Sequence, residues 1–136
     1  MCIIQEEKTG CGIAAVANIV SLSYQQVKDK ANSLGIYAND EALYSNTTYV
    51  RRLLKEYSVQ SSNKEIAFTS WQALPALALL ATKFQKTADK NYWHWVVFVR
   101  TDNDEYVLDS NQFLKNPKRK DFWRMKPRWY ILVFQK

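Results

Sequence analysis

The stretch Cys11-Gly12-Ile13-Ala14-Ala15-Val16-Ala17-Asn18-Ile19-Val20 has one polar side chain, Asn18, between Gly12 and Val20. A helix without a polar face must be enclosed by protein, so residues 11–20 are expected to form a central, buried helix. Upstream, Ile3-Ile4 is a short apolar start, followed by a charged turn ending in Thr9-Gly10. Downstream, Ser23 with Gln26 three residues later is a capping-box pattern, which starts a second helix. That helix runs to about Asn32 or Ser33, with Gly35 as its stop signal. A third begins near Thr47, where Val50, Leu53, Leu54 and Tyr57 keep helical spacing and Arg51, Arg52, Lys55 and Glu56 take the other side.

Beyond this point the period changes. Ser70-Trp71-Gln72-Ala73-Leu74 reads as a short turn of helix. Residues 76–84 are apolar without a clear period and read as a buried strand. Residues 93–100 are dense in β-branched and aromatic side chains, which favours a strand. Asp102-Asn103-Asp104 marks a turn, and 105–108 form the return strand. Residues 116–120 read as a basic loop around Pro117, and 129–135 as a final strand. Helices first and an antiparallel sheet afterwards make an α+β protein. Its expected architecture is an N-terminal helical half, with Cys11 on the central helix, packed on the sheet. At 136 residues the chain has the length of one domain, 1–136.

Hydrophobic residues make up 47% and charged residues 24%, a globular composition that excludes intrinsic disorder. The net charge of +6 fits a basic soluble surface or an acidic partner. Two cysteines build no disulfide framework, so reduced thiols are expected. Residues 1–7 lack the basic region and apolar run of about 7–15 residues that mark a signal peptide. The most apolar stretch, 73–81, is interrupted by Pro75 and falls far short of the ~20 residues of a membrane span. The expected location is the cytoplasm, or outside the cell without a cleavable signal. One histidine and two cysteines do not make a zinc site, so no metal is expected.

Three residues point to chemistry. Cys11 opens the buried helix, His94 is the only histidine, and Asp109 ends the strand after the one that carries His94. If 93–100 and 105–109 form a hairpin, its open end brings Asp109 towards His94. A helix N-terminus and a neighbouring imidazolium both favour a thiolate over a thiol. A carboxylate fixes the histidine tautomer and stabilises its charge. Gln5 lies six residues before Cys11, near enough to set its amide beside the Cys11 backbone N–H as an oxyanion donor. Gly10 and Gly12 leave room for a substrate backbone at the thiol. Cys2, near the chain start, is expected to sit on a mobile segment as an ordinary thiol.

These residues, in the order Gln5, Cys11-Gly12-Ile13-Ala14-Ala15-Val16-Ala17-Asn18-Ile19, His94-Trp95-Val96-Val97 and Tyr106-Val107-Leu108-Asp109, resemble the papain-like cysteine peptidases. The resemblance is to the bacteriocin-processing, double-glycine leader peptidase branch and its stand-alone relatives, and it extends from residue 5 to about 112. It implies thiol-dependent hydrolysis of a peptide or isopeptide bond without a cofactor. Cys11 would be the nucleophile, His94 the base, Asp109 its orienting partner and Gln5 the oxyanion donor. Gly10 stands where the family usually has Asp or Asn, and Ser110 where Pro commonly follows the last triad residue.

The expected partner is a polypeptide substrate, with a larger protein or a secretion system as a further candidate. Two alternatives stay open. One is a catalytically silent peptide-binding module. The other is an effector or toxin that uses the same triad for deamidation or cleavage of a host or competitor protein. Trp93 and Trp95 flank His94 and face the other way on a strand, which suits core packing. Lys115, Lys118, Arg119, Lys120, Arg124, Lys126 and Arg128 alternate with Phe122, Trp123 and Trp129 in the manner of a nucleic-acid surface. No nucleic-acid motif accompanies them, so nucleic acid is not the expected partner.

Overall fold

The computed structural model describes residues 2–7, 9–86, 91–112 and 114–134, with the backbone alone at Tyr44. Helix α1 is Cys11–Val20, α2 is Tyr24–Ser33 and α3 is Thr48–Glu56. The strands are β1 Ile66–Ala67, β2 Leu77–Lys86, β3 Asn91–Arg100, β4 Glu105–Leu108, β5 Lys118–Arg119 and β6 Trp129–Leu132. They form one sheet in the order β1-β6-β2-β3-β4-β5, with every pairing antiparallel. The helical half packs on this sheet, so the fold is the expected α+β one.

The central helix is buried because its sequence offers nothing to water: residues 11–17 are all enclosed. Its one polar side chain ties down the start of the chain. Asn18 Oδ1 accepts from the Ile3 amide at 2.7 Å, and Asn18 Nδ2 donates to the Ile3 carbonyl at 3.3 Å. Helix α2 opens with the capping box, Ser23 Oγ accepting from Gln26 N and Gln26 Oε1 from Ser23 N. The chain leaves α2 through Gly35 at φ +80°, a left-handed conformation open to glycine at no steric cost. Helix α3 lays Val50, Leu53 and Leu54 against α1, with all three fully buried.

Both faces of the sheet are covered. Leu79, Ala81, Trp95, Val97 and Ile131 face the helices, while Ala78, Leu80, Val96, Phe98 and Val107 lie under Leu74 and Met125. A strand buried on two sides loses its polar alternation, which is why 76–84 has no period. Trp93 and Trp95 pack edge-on against each other and against Trp129 within the helix-side core.

Three expectations are corrected. Residues 70–74 make one turn, with Ser70 Oγ accepting from Ala73 N, and no helix follows because Pro75 disfavours helical backbone at Leu74. Within the basic loop, Lys118–Arg119 form β5, pairing with Leu108 and Val107 of β4. The last strand ends at Leu132; Val133 then bridges to Ser61, and Gln135 lies outside the described residues.

The glycines at the head of α1 are explained by packing inside the protein. A Cβ at Gly10 would lie 2.1 Å from the Tyr24 hydroxyl, and one at Gly12 would lie 2.0 Å from that of Tyr49. Overpacking of this kind costs about 1–3 kcal/mol. Gly10→Ala is therefore expected to lower stability by about that amount in urea denaturation. Adding Tyr24→Phe should recover part of the loss, because the phenyl ring removes the clashing oxygen. Strictly additive losses in the double variant would place the clash elsewhere.

Candidate active site

The β3–β4 hairpin sets His94 and Asp109 on one face. Its register pairs Val97 with Leu108 and Phe98 with Val107. Continued past Leu108, it puts Asp109 opposite Val96, with His94 as the diagonal neighbour on the same face. Across that diagonal His94 Nε2 meets Asp109 Oδ1 at 2.8 Å. The carboxylate is 1% exposed. A buried charge needs partners, and Asp109 has three. Besides His94, Arg119 Nη1 donates to Oδ2 at 3.0 Å and the Asn111 amide donates to Oδ1 at 3.1 Å. The Asp109 amide itself donates to the Pro117 carbonyl at 2.8 Å.

Cys11 comes to the same place from the other layer. It is the first residue of α1, 4% exposed, and its Sγ accepts from the Trp95 amide at 3.5 Å. It is also an electrostatic neighbour of the His94 imidazole and favours the charge on that ring. Cys11 thus meets β3 at Trp95, the residue after His94, while His94 meets Asp109. The N-cap, Gly10, has no side chain to cap the helix. The first amides of α1, including that of Cys11, have no acceptor within the helix.

Gln5 is buried at the edge of this group. Its Nε2 donates to the Glu7 carbonyl at 3.0 Å, its Oε1 accepts from the Ser110 hydroxyl at 2.7 Å, and its backbone N–H donates to the Ser110 carbonyl at 3.1 Å. Ser110, which departs from the expected proline, therefore anchors Gln5 twice. The space beside Gly10 is taken by the Tyr24 hydroxyl, which donates to Glu7 Oε1 at 2.7 Å. The two glycines thus accommodate tyrosines of this chain, a correction to the expected opening for substrate.

Cys2 is not a free thiol on a loose end. It is half-buried, its Sγ accepts from Asn18 Nδ2 at 3.8 Å, and it donates towards the Asp109 carbonyl at 3.9 Å. Burial pushes its thiol up from the ordinary value.

Arg119 is the site residue that sequence reasoning missed. It reads as one cation in a basic run, and nothing in its spacing marks it out. On β5 it faces inward, and its Nε and Nη2 also bind both carboxylate oxygens of Asp121, at 2.9 and 2.7 Å. The rest of the run divides. Lys118 and Lys120 pair with Asp104, Phe122 packs on Trp71, and Trp129 lies in the tryptophan cluster. Trp123 remains as the exposed aromatic of the three. Among the described residues, no three His, Cys, Asp or Glu side chains gather as metal ligands would, and no helix is long and apolar enough to cross a membrane.

No protein-family model matches the chain, and no curated protein matches it. Among solved structures it is similar to the crystal structure of a double glycine motif protease from an AMS/PCAT transporter in complex with the leader peptide. The TM-score is 0.66 at 15% identity, covering 98% of this chain and 89% of that one. At that identity the likeness is one of fold.

Burial works against a charge on His94, but its contacts with Asp109 and Cys11 outweigh that and push it up to about 9. Burial likewise opposes the Asp109 charge, yet His94, the Asn111 amide and Arg119 hold its carboxyl down at about 2. The raised histidine contributes stability fully below 6.5 and loses it as pH rises through about 9. The lowered carboxyl contributes fully above 3.8 and loses its share as pH falls through about 2. His94 gives the only histidine ring signals in a proton NMR titration. Their midpoint is expected near 9, and Asp109→Ala should bring it to 6.5 or below, because burial persists without the main partner. A wild-type midpoint at 6.5 would mean that the pair does not form in solution.

Proposed function

We propose that residues 1–136 act as one papain-like cysteine peptidase domain that hydrolyses an amide bond of a polypeptide. The observation that carries this reading is the gathering of Cys11, His94 and Asp109 at the head of a buried helix. A polypeptide substrate has a precedent in the structurally similar protease, which was solved with a leader peptide.

The chemistry follows from the geometry. His94 takes the Cys11 proton and the sulfur attacks the carbonyl carbon, so the C–O π electrons move to oxygen. The Gln5 amide and the Cys11 backbone N–H stabilise that oxyanion. His94 then gives its proton to the leaving amine, the C–N bond breaks, and a thioester remains on Cys11. Water attacks the thioester with neutral His94 taking its proton, which releases the acid and restores the thiol–imidazole pair. Asp109 holds the ring by Nε2 throughout, so the other ring nitrogen is the one that serves sulfur and substrate. Arg119 in turn holds Asp109 and acts as a positioning residue.

The chain has two thiols, so one protein contains its own control. Iodoacetamide at pH about 6 is expected to modify Cys11 well ahead of Cys2, because Cys11 has an imidazole beside it to take its proton and Cys2 has none. His94→Ala should remove most of that preference. Peptide mapping reads both results. Faster modification of Cys2, or a Cys11 labelled only after unfolding, would leave a core cysteine and a peptide-binding module.

Once a substrate is found, by comparing lysate peptides processed by wild type and by Cys11→Ala, Gln5 can be tested. Gln5→Ala should lower kcat by roughly 10²-fold with KM nearly unchanged, since an oxyanion donor acts in the transition state. Ser110→Ala, which frees Gln5 Oε1 but keeps the amide, should lower kcat less. A rise in KM alone would remove Gln5 from the site.

A further inference from the structure

Beside the His94–Asp109 pair runs a groove of about 470 Å³. Its wall includes Lys83, Arg119, Arg124, Lys126 and Arg128, and among the described residues no acidic one. Two of its lining residues touch the site itself. Thr82 Oγ1 donates to the His94 carbonyl at 3.1 Å, and Arg119 binds Asp109. A bulge in β2 between Thr82 and Gln85 puts Lys83 at φ +51°, a strained conformation for lysine. Bulges beside active sites re-aim side chains, and this one turns a cation to the groove. Backbone bonds fix the opposite wall, with Arg128 N donating to the Ala81 carbonyl and Arg128 O accepting from Phe68 N.

Arg119 is satisfied by Asp109 and Asp121, whereas Lys83, Arg124, Lys126 and Arg128 form no ion pair with any described residue. Four cations gathered around a cleft repel one another and favour an anion between them. Nucleic acid would also want flat aromatic faces for its bases. The ring in the groove, Phe84, is instead covered by the Arg128 guanidinium at 4.8 Å, and the exposed Trp123 is not part of the lining. Apolar Met125 and Pro127 between the cations suit the aliphatic stems of glutamate side chains.

We infer that this groove seats an acidic segment of the polypeptide substrate, alongside the imidazole and its carboxylate partner. That the segment belongs to a substrate rests on the amide-hydrolase reading, whereas its acidic character rests on the groove alone.

The probe is fluorescein-labelled decaglutamate, read by anisotropy at low ionic strength. The triple variant R124A/K126A/R128A is compared with K30A/K55A/K64A, which removes the same charge elsewhere. The groove variant is expected to bind roughly tenfold more weakly or worse, and the remote variant within about twofold of wild type. Arg124→Glu with Lys126→Glu, both at exposed positions, should abolish binding and serves if the triple variant does not fold. Decaglutamate should also shift the single histidine's ring signal, saturating at the same concentration.

Equal weakening by both triple variants, or a histidine signal that does not move, would overturn the inference. So would a decanucleotide that binds more tightly than decaglutamate and is lost in the groove variant. The hydrolase reading is judged separately by Cys11 alkylation. An inert Cys11 with groove-dependent decaglutamate binding would sink the hydrolase and keep the acidic-peptide site.

Discussion

A carboxylate removed from water has to be compensated on every side, and Asp109 is where this protein meets that requirement. Its side chain is 1% exposed, and its oxygens are shared among His94, Arg119 and the Asn111 amide. Each partner comes from a different element. His94 depends on the β3–β4 register, Arg119 on the pairing of β5 with β4, and Asn111 on the turn that follows. A slip of one residue in that register would turn Asp109 to the other face. The charge on the imidazole and the low pKa of the carboxyl are two expressions of this one arrangement.

The head of α1 is set by a second constraint, close packing. Gly10 and Gly12 stand where the Tyr24 and Tyr49 hydroxyls need the volume of a side chain. A glycine N-cap also leaves the helix amides without a side-chain acceptor, so the positive end of the helix is not neutralised by a cap. The start of the chain is held there from two sides, by Asn18 on α1 and by Ser110 just after Asp109. Gln5 and the strand end that carries Asp109 are therefore tied together although Gln5 and Ser110 lie 105 residues apart in sequence.

Much of the fold was legible because its long elements obey one rule each. The enclosed helix 11–20 has no polar face, α2 carries its capping box, and β3 is dense in β-branched and aromatic residues. The parts that were not legible are short or held by remote partners. Lys118–Arg119 has no apolar pattern and becomes a strand only because β4 offers an edge and Asp109 a charge. Ile66–Ala67 is two residues long and depends on β6. Cys2 looked like a loose end because its contacts, Asn18 and Asp109, lie 16 and 107 residues away.

The sequence by itself determined the class of the fold and the order of its elements, because hydrophobic period and capping are local properties of the chain. It also pointed to Gln5, Cys11, His94 and Asp109 as candidates, since His94 is the only histidine and Cys11 heads the enclosed helix. Only the tertiary structure decided that Arg119 supports Asp109, that Ser110 anchors Gln5, and that four lysines and arginines gather around one groove. Those relations depend on strand register and on side chains meeting from separate elements. Charge and hydrogen bonding act through space, and no spacing along the chain encodes them.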